Sequence, residues 1–215
     1  MHISEKSSTF AAVLGNDMEE QKQQIIETAF ALFKKYGIKS VSVDDICHRL
    51  GMSKKTFYVF FKQKDELVTE VLNYMHEQHR EQSMKAFKGK STLECVRLLI
   101  QLPSKLGDVH HEPPFAYDLQ KYYPNIYQDH ITHVRRATRD FIISHLKQGI
   151  EEGVYRKDLD VEMCAIFFVM MQQAYIQNIN KVHNVGPKRV ATFSFDLFLR
   201  TVLSEEGKEK LKIEN

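Results

Sequence analysis

Apolar residues recur along most of this chain at the three- and four-residue spacing of a helix, and no C-terminal stretch of useful length alternates like a strand. A first apolar stripe follows an acidic start at Met18 or Glu19, includes Ile25 and Phe33, and ends before Gly37. Short breakers divide the C-terminal two-thirds of the chain. The pattern there predicts helices over residues 92–106, 115–122, 124–152, 161–182 and 187–203.

The stretch 42–67 has the signals of two short helices joined by a tight turn and followed by a third helix. Ser42 and Asp45 have the spacing of a capping box, which starts a helix by satisfying its free backbone amides. Gly51 follows the last apolar residue, where a left-handed residue ends a helix, and Ser53 can cap the next one. This arrangement predicts a helix-turn-helix, which is a DNA-reading motif.

The second short helix is expected to turn Phe57 and Phe61 inward, because they are four residues apart. Residues 39–64 contain six cationic and two anionic side chains, so they carry a net charge of +4 while the whole chain carries +2. Lysines neutralise phosphates, and hydroxyl groups donate hydrogen bonds to them. The predicted DNA contacts are Lys54, Lys55, Thr56 and Tyr58, supported by Ser42, Ser53 and Lys64.

Residues 25–67 resemble the N-terminal domain of TetR-family (tetracycline-repressor-like) bacterial transcriptional regulators. The likeness rests on the first helix with Ala29, Phe30 and Phe33, on the Ser-Val-xx-Ile helix, and on the run Gly-x-Ser-xx-Thr-Phe-Tyr-xx-Phe-xx-Lys-xx-Leu. Val59 and Gln63 depart from the commonest family pattern. The resemblance implies a dimeric, all-helical repressor or activator whose C-terminal domain binds a small molecule. It also places the homodimer interface on helices 161–182 and 187–203.

The expected fold is therefore all-α, with an N-terminal three-helix DNA-binding domain joined by a long helix to a helical C-terminal domain for ligand binding and dimerisation. The acidic pair Asp65 and Glu66 opens the long connecting helix. We expect a flexible N-terminal arm over residues 1–18, the helix-turn-helix domain over 19–66, and the regulatory and dimerisation domain over 67–215.

Composition favours a globular protein, since 43% of the 215 residues are apolar. No segment approaches the roughly 20 apolar residues of a membrane helix, and the N-terminus lacks the apolar core of a signal peptide. We expect a cytoplasmic protein without a cofactor. Cys47, Cys95 and Cys164 are far apart, which favours reduced thiols over a disulfide framework.

Polar aromatic residues concentrate in the middle of the C-terminal region and suggest a cavity for a small apolar or aromatic effector. Aromatic residues at helical spacing are also typical of an ordinary core, and for any single residue that interpretation is favoured. The predicted lining residues are Tyr117, Tyr127, His130 and Tyr175.

Two other functions compete with a ligand-responsive regulator. The chain has no nucleophile elbow, phosphate-binding loop or dinucleotide fingerprint, which argues against an enzyme but leaves a helical enzyme without a motif open. A DNA-binding factor without a ligand is the stronger alternative. The histidine pairs 76/79 and 130/133 and the sequence His110-His111-Glu112 are weak metal signals, so no metal site is predicted.

Overall fold

The computed structural model describes residues 4–105, 114–178 and 187–212, and within these ranges the chain forms ten α-helices. The prediction of an all-α protein is confirmed. In the described ranges the only β-type pairing is one isolated antiparallel bridge between Tyr155 and Leu203. The helices are α1 (Ser4–Tyr36), α2 (Val43–Leu50), α3 (Lys54–Phe60), α4 (Lys64–Phe87), α5 (Thr92–Lys105), α6 (Pro114–Tyr122), α7 (Pro124–Glu151), α8 (Val161–Asn178), α9 (Pro187–Val202) and α10 (Glu205–Leu211).

The first helix is longer than the sequence pattern indicated. It begins at Ser4, not near Glu19, so its backbone includes most of the segment that was expected to be an arm. No proline interrupts residues 4–18, and their single glycine, Gly15, costs only about 1 kcal/mol relative to alanine in a helix. The helix ends where predicted, because Gly37 has a φ of 82° and its N–H donates to the carbonyl oxygen of Phe33 at 2.9 Å.

The chain divides into two compact units, and the first contains Met1–Glu81 together with Glu112–His130. Its core includes Ile25 and Phe33 of α1, Phe57 of α3 and Leu67 of α4, all fully buried. Helix α6 joins this core through Phe115, whose ring centroid lies 6.5 Å from that of Phe33. The first unit continues to Glu81 inside α4, whereas the sequence analysis placed the domain boundary after residue 66. The first unit also includes α6, which is distant in sequence.

The second unit contains Gln82–His111 and Ile131–Asn215. Its core includes Val96, Leu146 and Leu199. The buried hydroxyl group of Tyr155 lies 2.9 Å from Nε2 of His145, and burial raises the pKa of Tyr155 and lowers that of His145. Helix α10 is a polar helix of seven residues that was not predicted from the sequence, and the hydroxyl oxygen of its cap, Ser204, accepts the N–H of Gly207 at 2.9 Å.

The C-terminal helices agree with the predicted ranges to within a few residues. The predicted end of α8 near residue 182 lies outside the described residues. In the described ranges, no helix combines the length and apolar character that are needed to cross a membrane.

Candidate nucleic-acid interface

Helix α2 begins with the predicted capping box. The hydroxyl oxygen of Ser42 accepts the N–H of Asp45 at 3.1 Å, and the Asp45 carboxylate accepts the N–H of Ser42 at 2.7 Å. These hydrogen bonds with Ser42 hold the pKa of Asp45 below its usual range. Gly51, with a φ of 66°, ends the helix as predicted. Both ends of α2 are thus determined by residues of its own segment.

Helix α3 is capped by Ser53, whose hydroxyl oxygen accepts the N–H of Thr56 at 3.1 Å. Phe57 and Phe61 turn into the core as predicted, with ring centroids 5.6 Å apart. Tyr58 is 51% exposed, and its ring meets that of Phe57 edge-on at 5.4 Å. The inward phenylalanines thereby fix which face of α3 is turned to solvent.

The outward face of α3 displays donors that suit DNA. Lys54 and Lys55 are exposed, and Thr56 is half-buried beside its cap. Lys54 forms an exposed ion pair with Asp44 at 2.8 Å, an interaction that a phosphate group can replace at little cost. The structure therefore brings Lys54, Lys55, Thr56 and Tyr58 together on one short helix, as the sequence predicted.

Lys64 has a structural role that the sequence did not reveal. Its ammonium group donates to the carbonyl oxygens of Ile38 and Val41 and lies 5.6 Å from the ring centroid of Phe33. Burial lowers its pKa, although the charge of Asp118 opposes that shift. In this geometry Lys64 holds the loop of residues 37–42, which leads into α2.

Helix α6 holds the same loop with Asp118. One carboxylate oxygen of Asp118 accepts the backbone N–H of Lys39 at 2.8 Å. That oxygen would lie 2.6 Å from a Cβ atom at position 37, so glycine is required there both by space and by its positive φ. No local pattern could indicate this contact, because its residues are 79 positions apart.

Replacing Lys64 with methionine is expected to lower the free energy of unfolding of the first unit, which contains the helix-turn-helix, by about 2 kcal/mol. The reason is that the carbonyl groups of Ile38 and Val41 lose their charged donor. Urea denaturation followed by circular dichroism measures the change. Lys62→Met is the matched control, because this nearby lysine is exposed. Equal midpoints for the two variants would show that the contacts of Lys64 do not stabilise the loop.

The four predicted effector-binding residues are divided between the two units. Tyr117, Tyr127 and His130 lie in the first unit and Tyr175 lies in the second. Tyr117 is 49% exposed, and its hydroxyl oxygen accepts a hydrogen bond from Lys121 at 2.8 Å. Tyr127 is half-buried against the core of the first unit. Tyr117 is thus an ordinary surface residue, and Tyr127 is a half-buried residue at the edge of the core.

His130 and Tyr175 are both half-buried. The ring centroid of His130 lies 6.3 Å from that of His76, in an edge-on arrangement. Burial raises the pKa of Tyr175.

A separate shallow cleft of about 280 Å³ lies between α1, the end of α3 and α4. None of the four predicted effector-binding residues lines this cleft.

Among the described residues, no group of three or more His, Cys, Asp or Glu side chains could hold a metal ion. The sequence His110-His111-Glu112 lies outside these residues. Cys47 and Cys95 are buried free thiols and Cys164 is a half-buried one, and burial raises the pKa of all three.

The capped α2 and α3, the glycine turn between them and the exposed donors of α3 define a helix-turn-helix DNA-binding protein. A family model for bacterial regulatory proteins of the tetR family matches residues 25–71. The uncharacterised HTH-type transcriptional regulator YuxN of Bacillus subtilis is 29% identical over 181 residues, which cover 84% of this chain and 50% of that protein. The HTH-type transcriptional repressor KstR2 of Mycobacterium tuberculosis is 24% identical over 156 residues, covering 70% of this chain and 76% of that protein.

Solved structures share the fold over nearly the whole chain. A TetR-family regulator from Cytophaga hutchinsonii superposes with a TM-score of 0.68 at 13% identity, covering 88% of this chain and 98% of that one. A protein from Saccharomonospora viridis, described as a transcriptional regulator in complex with choline, gives a TM-score of 0.61 at 18% identity and covers 87% of this chain and 100% of that one.

Over residues 25–71, the family model confirms the sequence resemblance to the N-terminal domain of TetR-family regulators. The names of its relatives confirm the prediction of a regulator instead of an enzyme. The chain spans about half the length of YuxN and about three-quarters of the length of KstR2.

Proposed function

We propose that this protein is a ligand-responsive transcriptional repressor that binds a palindromic operator as a homodimer. The observation that carries the proposal is the exposed face of α3, where Lys54, Lys55, Thr56 and Tyr58 are presented by a helix whose other face is locked into the core by Phe57. A rigid helix with cations and hydroxyl groups on its outer face suits entry into the major groove.

Dimerisation through α8 and α9 is supported by their exposed apolar side chains. Ring centroids of Phe168 and Phe198 lie 5.0 Å apart and join the two helices on their inner side. Their outer surface is unusually apolar for a protein in water, which is typical of a subunit interface. The outer residues are Met163, Ile166, Phe167 and Met170 of α8 with Phe193 and Leu197 of α9, between 39% and 67% exposed.

A small-molecule effector, apolar or aromatic, is the third part of the proposal. A structurally similar regulator holds choline, which supports a ligand site in this fold. Helix α4 has residues in both units, so a ligand that shifts it changes the spacing of the two DNA-reading heads in a dimer. Such coupling typically amounts to about 1 to 3 kcal/mol, or roughly 5- to 150-fold in affinity. The candidate effector-contacting residues remain those predicted from the sequence, which are Tyr117, Tyr127, His130 and Tyr175.

A DNA-binding factor without a ligand is the second candidate function. The exposure of Tyr117 and the core position of Tyr127 favour it, because neither side chain needs an effector to explain its place. In both cases the chain acts on DNA in the bacterial cytoplasm.

Selection of fragments bound from genomic DNA tests the proposal directly. We expect recovered fragments to share a site with two-fold symmetry and half-sites about one helical turn, or a multiple of it, apart. A screen of small molecules by thermal shift then identifies binders, and operator affinity is measured with each of them. Fragments without a common site would rule out a specific repressor, whereas binders that leave operator affinity unchanged would favour the factor without a ligand.

A further inference from the structure

A second basic surface lies on the first unit, which contains the helix-turn-helix, and it includes no residue of α3. It consists of Lys39 from the loop before α2 and of Tyr117, Lys121 and Tyr122 from α6, and we call it the α6 patch. The ammonium group of Lys39 donates to the hydroxyl oxygen of Tyr122 at 3.2 Å and lies 4.4 Å from the centroid of its ring. Lys121 lies 5.3 Å from the same centroid and donates to the hydroxyl oxygen of Tyr117 at 2.8 Å.

The positive charge of the α6 patch is not neutralised within the described part of the chain. Neither Lys39 nor Lys121 has a carboxylate oxygen within 4.0 Å there. Asp118 is buried, and it uses one carboxylate oxygen to accept the backbone N–H of Lys39. Two ammonium groups around one ring repel each other, and an anion bound between or above them would offset this repulsion by attracting both.

The phenol groups add donors to these charges. The hydrogen bond from Lys39 and the charges of both lysines hold the pKa of Tyr122 below its usual range, although the side chain is well exposed. Each hydroxyl group accepts from a lysine and keeps its own proton to donate. Ammonium and phenol donors side by side are the groups that proteins use to contact the phosphate oxygens of DNA.

We propose that the α6 patch binds phosphate groups of the DNA backbone beside the base pairs read by α3. This inference rests on the proposed function. Lys39 lies three residues before Ser42, which caps α2, and both belong to the same rigid loop held by Lys64 and Asp118. At the end of α1, Lys35 lies 4.8 Å from the ring centroid of Tyr36 and repeats the lysine–tyrosine pairing. The partner is a nucleic acid and not an acidic protein, because the patch continues from the DNA-binding segment.

The test is the salt dependence of binding to a 40-base-pair DNA duplex of mixed sequence, measured by fluorescence anisotropy with the full-length protein. The variant Lys39→Gln/Lys121→Gln is expected to lower the slope of log K against log salt by about 3.6, since the proposed dimer loses four phosphate contacts that each contribute about 0.9. Between 50 and 200 mM salt the wild type then loses about 150-fold more affinity than the variant. Lys121→Gln alone is expected to lower the slope by about half as much.

The matched control is Lys88→Gln/Lys90→Gln, which removes two exposed lysines from the turn after α4 in the other unit. Its slope is expected to equal that of the wild type. Equal slopes for the patch variant and the control overturn the inference and leave an acidic protein as the partner of this surface. A wild type that shows no salt-dependent binding to DNA would instead overturn the proposed function, so the two failures are distinguishable.

Discussion

Replacing Phe167 and Phe193 with glutamate is expected to convert the proposed dimer to a monomer at micromolar concentration. These side chains are 51% and 67% exposed on α8 and α9 and lie on the surface assigned to the partner subunit. Burying a phenylalanine contributes roughly 1.5 to 3 kcal/mol, and a two-fold interface contains each residue twice. Because only the exposed 51% and 67% of these side chains remain to be buried, the loss is about 4 to 7 kcal/mol. Together with the cost of buried carboxylates, this is large enough to dissociate the dimer at micromolar concentration.

Sedimentation velocity measures the mass, and operator binding is expected to fall on the order of 1,000-fold because one head alone reads half of a palindrome. Gln82→Glu/Ser83→Glu is the control, since it adds two carboxylates at exposed positions of α4. A doubly substituted protein that still sediments as a dimer would place the interface elsewhere.

The second large effect is expected from replacing Lys55 and Tyr58 with alanine. Both side chains are exposed on α3, and neither belongs to the core, so the fold should be retained. The loss of one phosphate contact and one contact in the groove from each head of the proposed dimer should lower operator affinity by at least about 3 kcal/mol, or on the order of 100-fold. The salt slope should fall by about 1.8, because the dimer loses two cations that each contribute about 0.9.

Fluorescence anisotropy with the selected operator measures both quantities, and thermal unfolding verifies the fold. Lys90→Ala serves as the charge control, because this exposed lysine lies in the other unit. If the double variant and the control bound the operator equally well, α3 would not be the recognition helix.

The parts of the interface that could be predicted from sequence are those determined by neighbouring residues. Ser42 meets Asp45 and Ser53 meets Thr56 across three positions, so the spacing alone indicated both caps. The end of α2 at Gly51 was equally predictable, since the left-handed conformation at a helix end strongly favours glycine. Local chemistry therefore specified the helix-turn-helix almost completely.

The contacts that hold this motif in place were not predictable in the same way. Lys64 was predicted to support the DNA contacts, but nothing in the sequence indicated that its ammonium group donates to carbonyl groups 23 and 26 residues away. Asp118 was not singled out at all, because a single acidic residue in an amphipathic helix is ordinary. Such interactions depend on which helices become neighbours in three dimensions, and one sequence contains no signal for that. The helix α10 was missed for another reason, since seven polar residues have too little apolar periodicity to be recognised.

The inclusion of α6 in the DNA-binding unit has a consequence for protein engineering. A chimeric regulator made by joining residues 1–66 to a foreign sensor domain would leave Phe115 and Asp118 behind. The ring of Phe33 would lose a packing partner, and the backbone N–H of Lys39 would lose its acceptor. A transplantable DNA-reading module from this protein must therefore be assembled from two separate pieces of the chain, Met1–Glu81 and Glu112–His130.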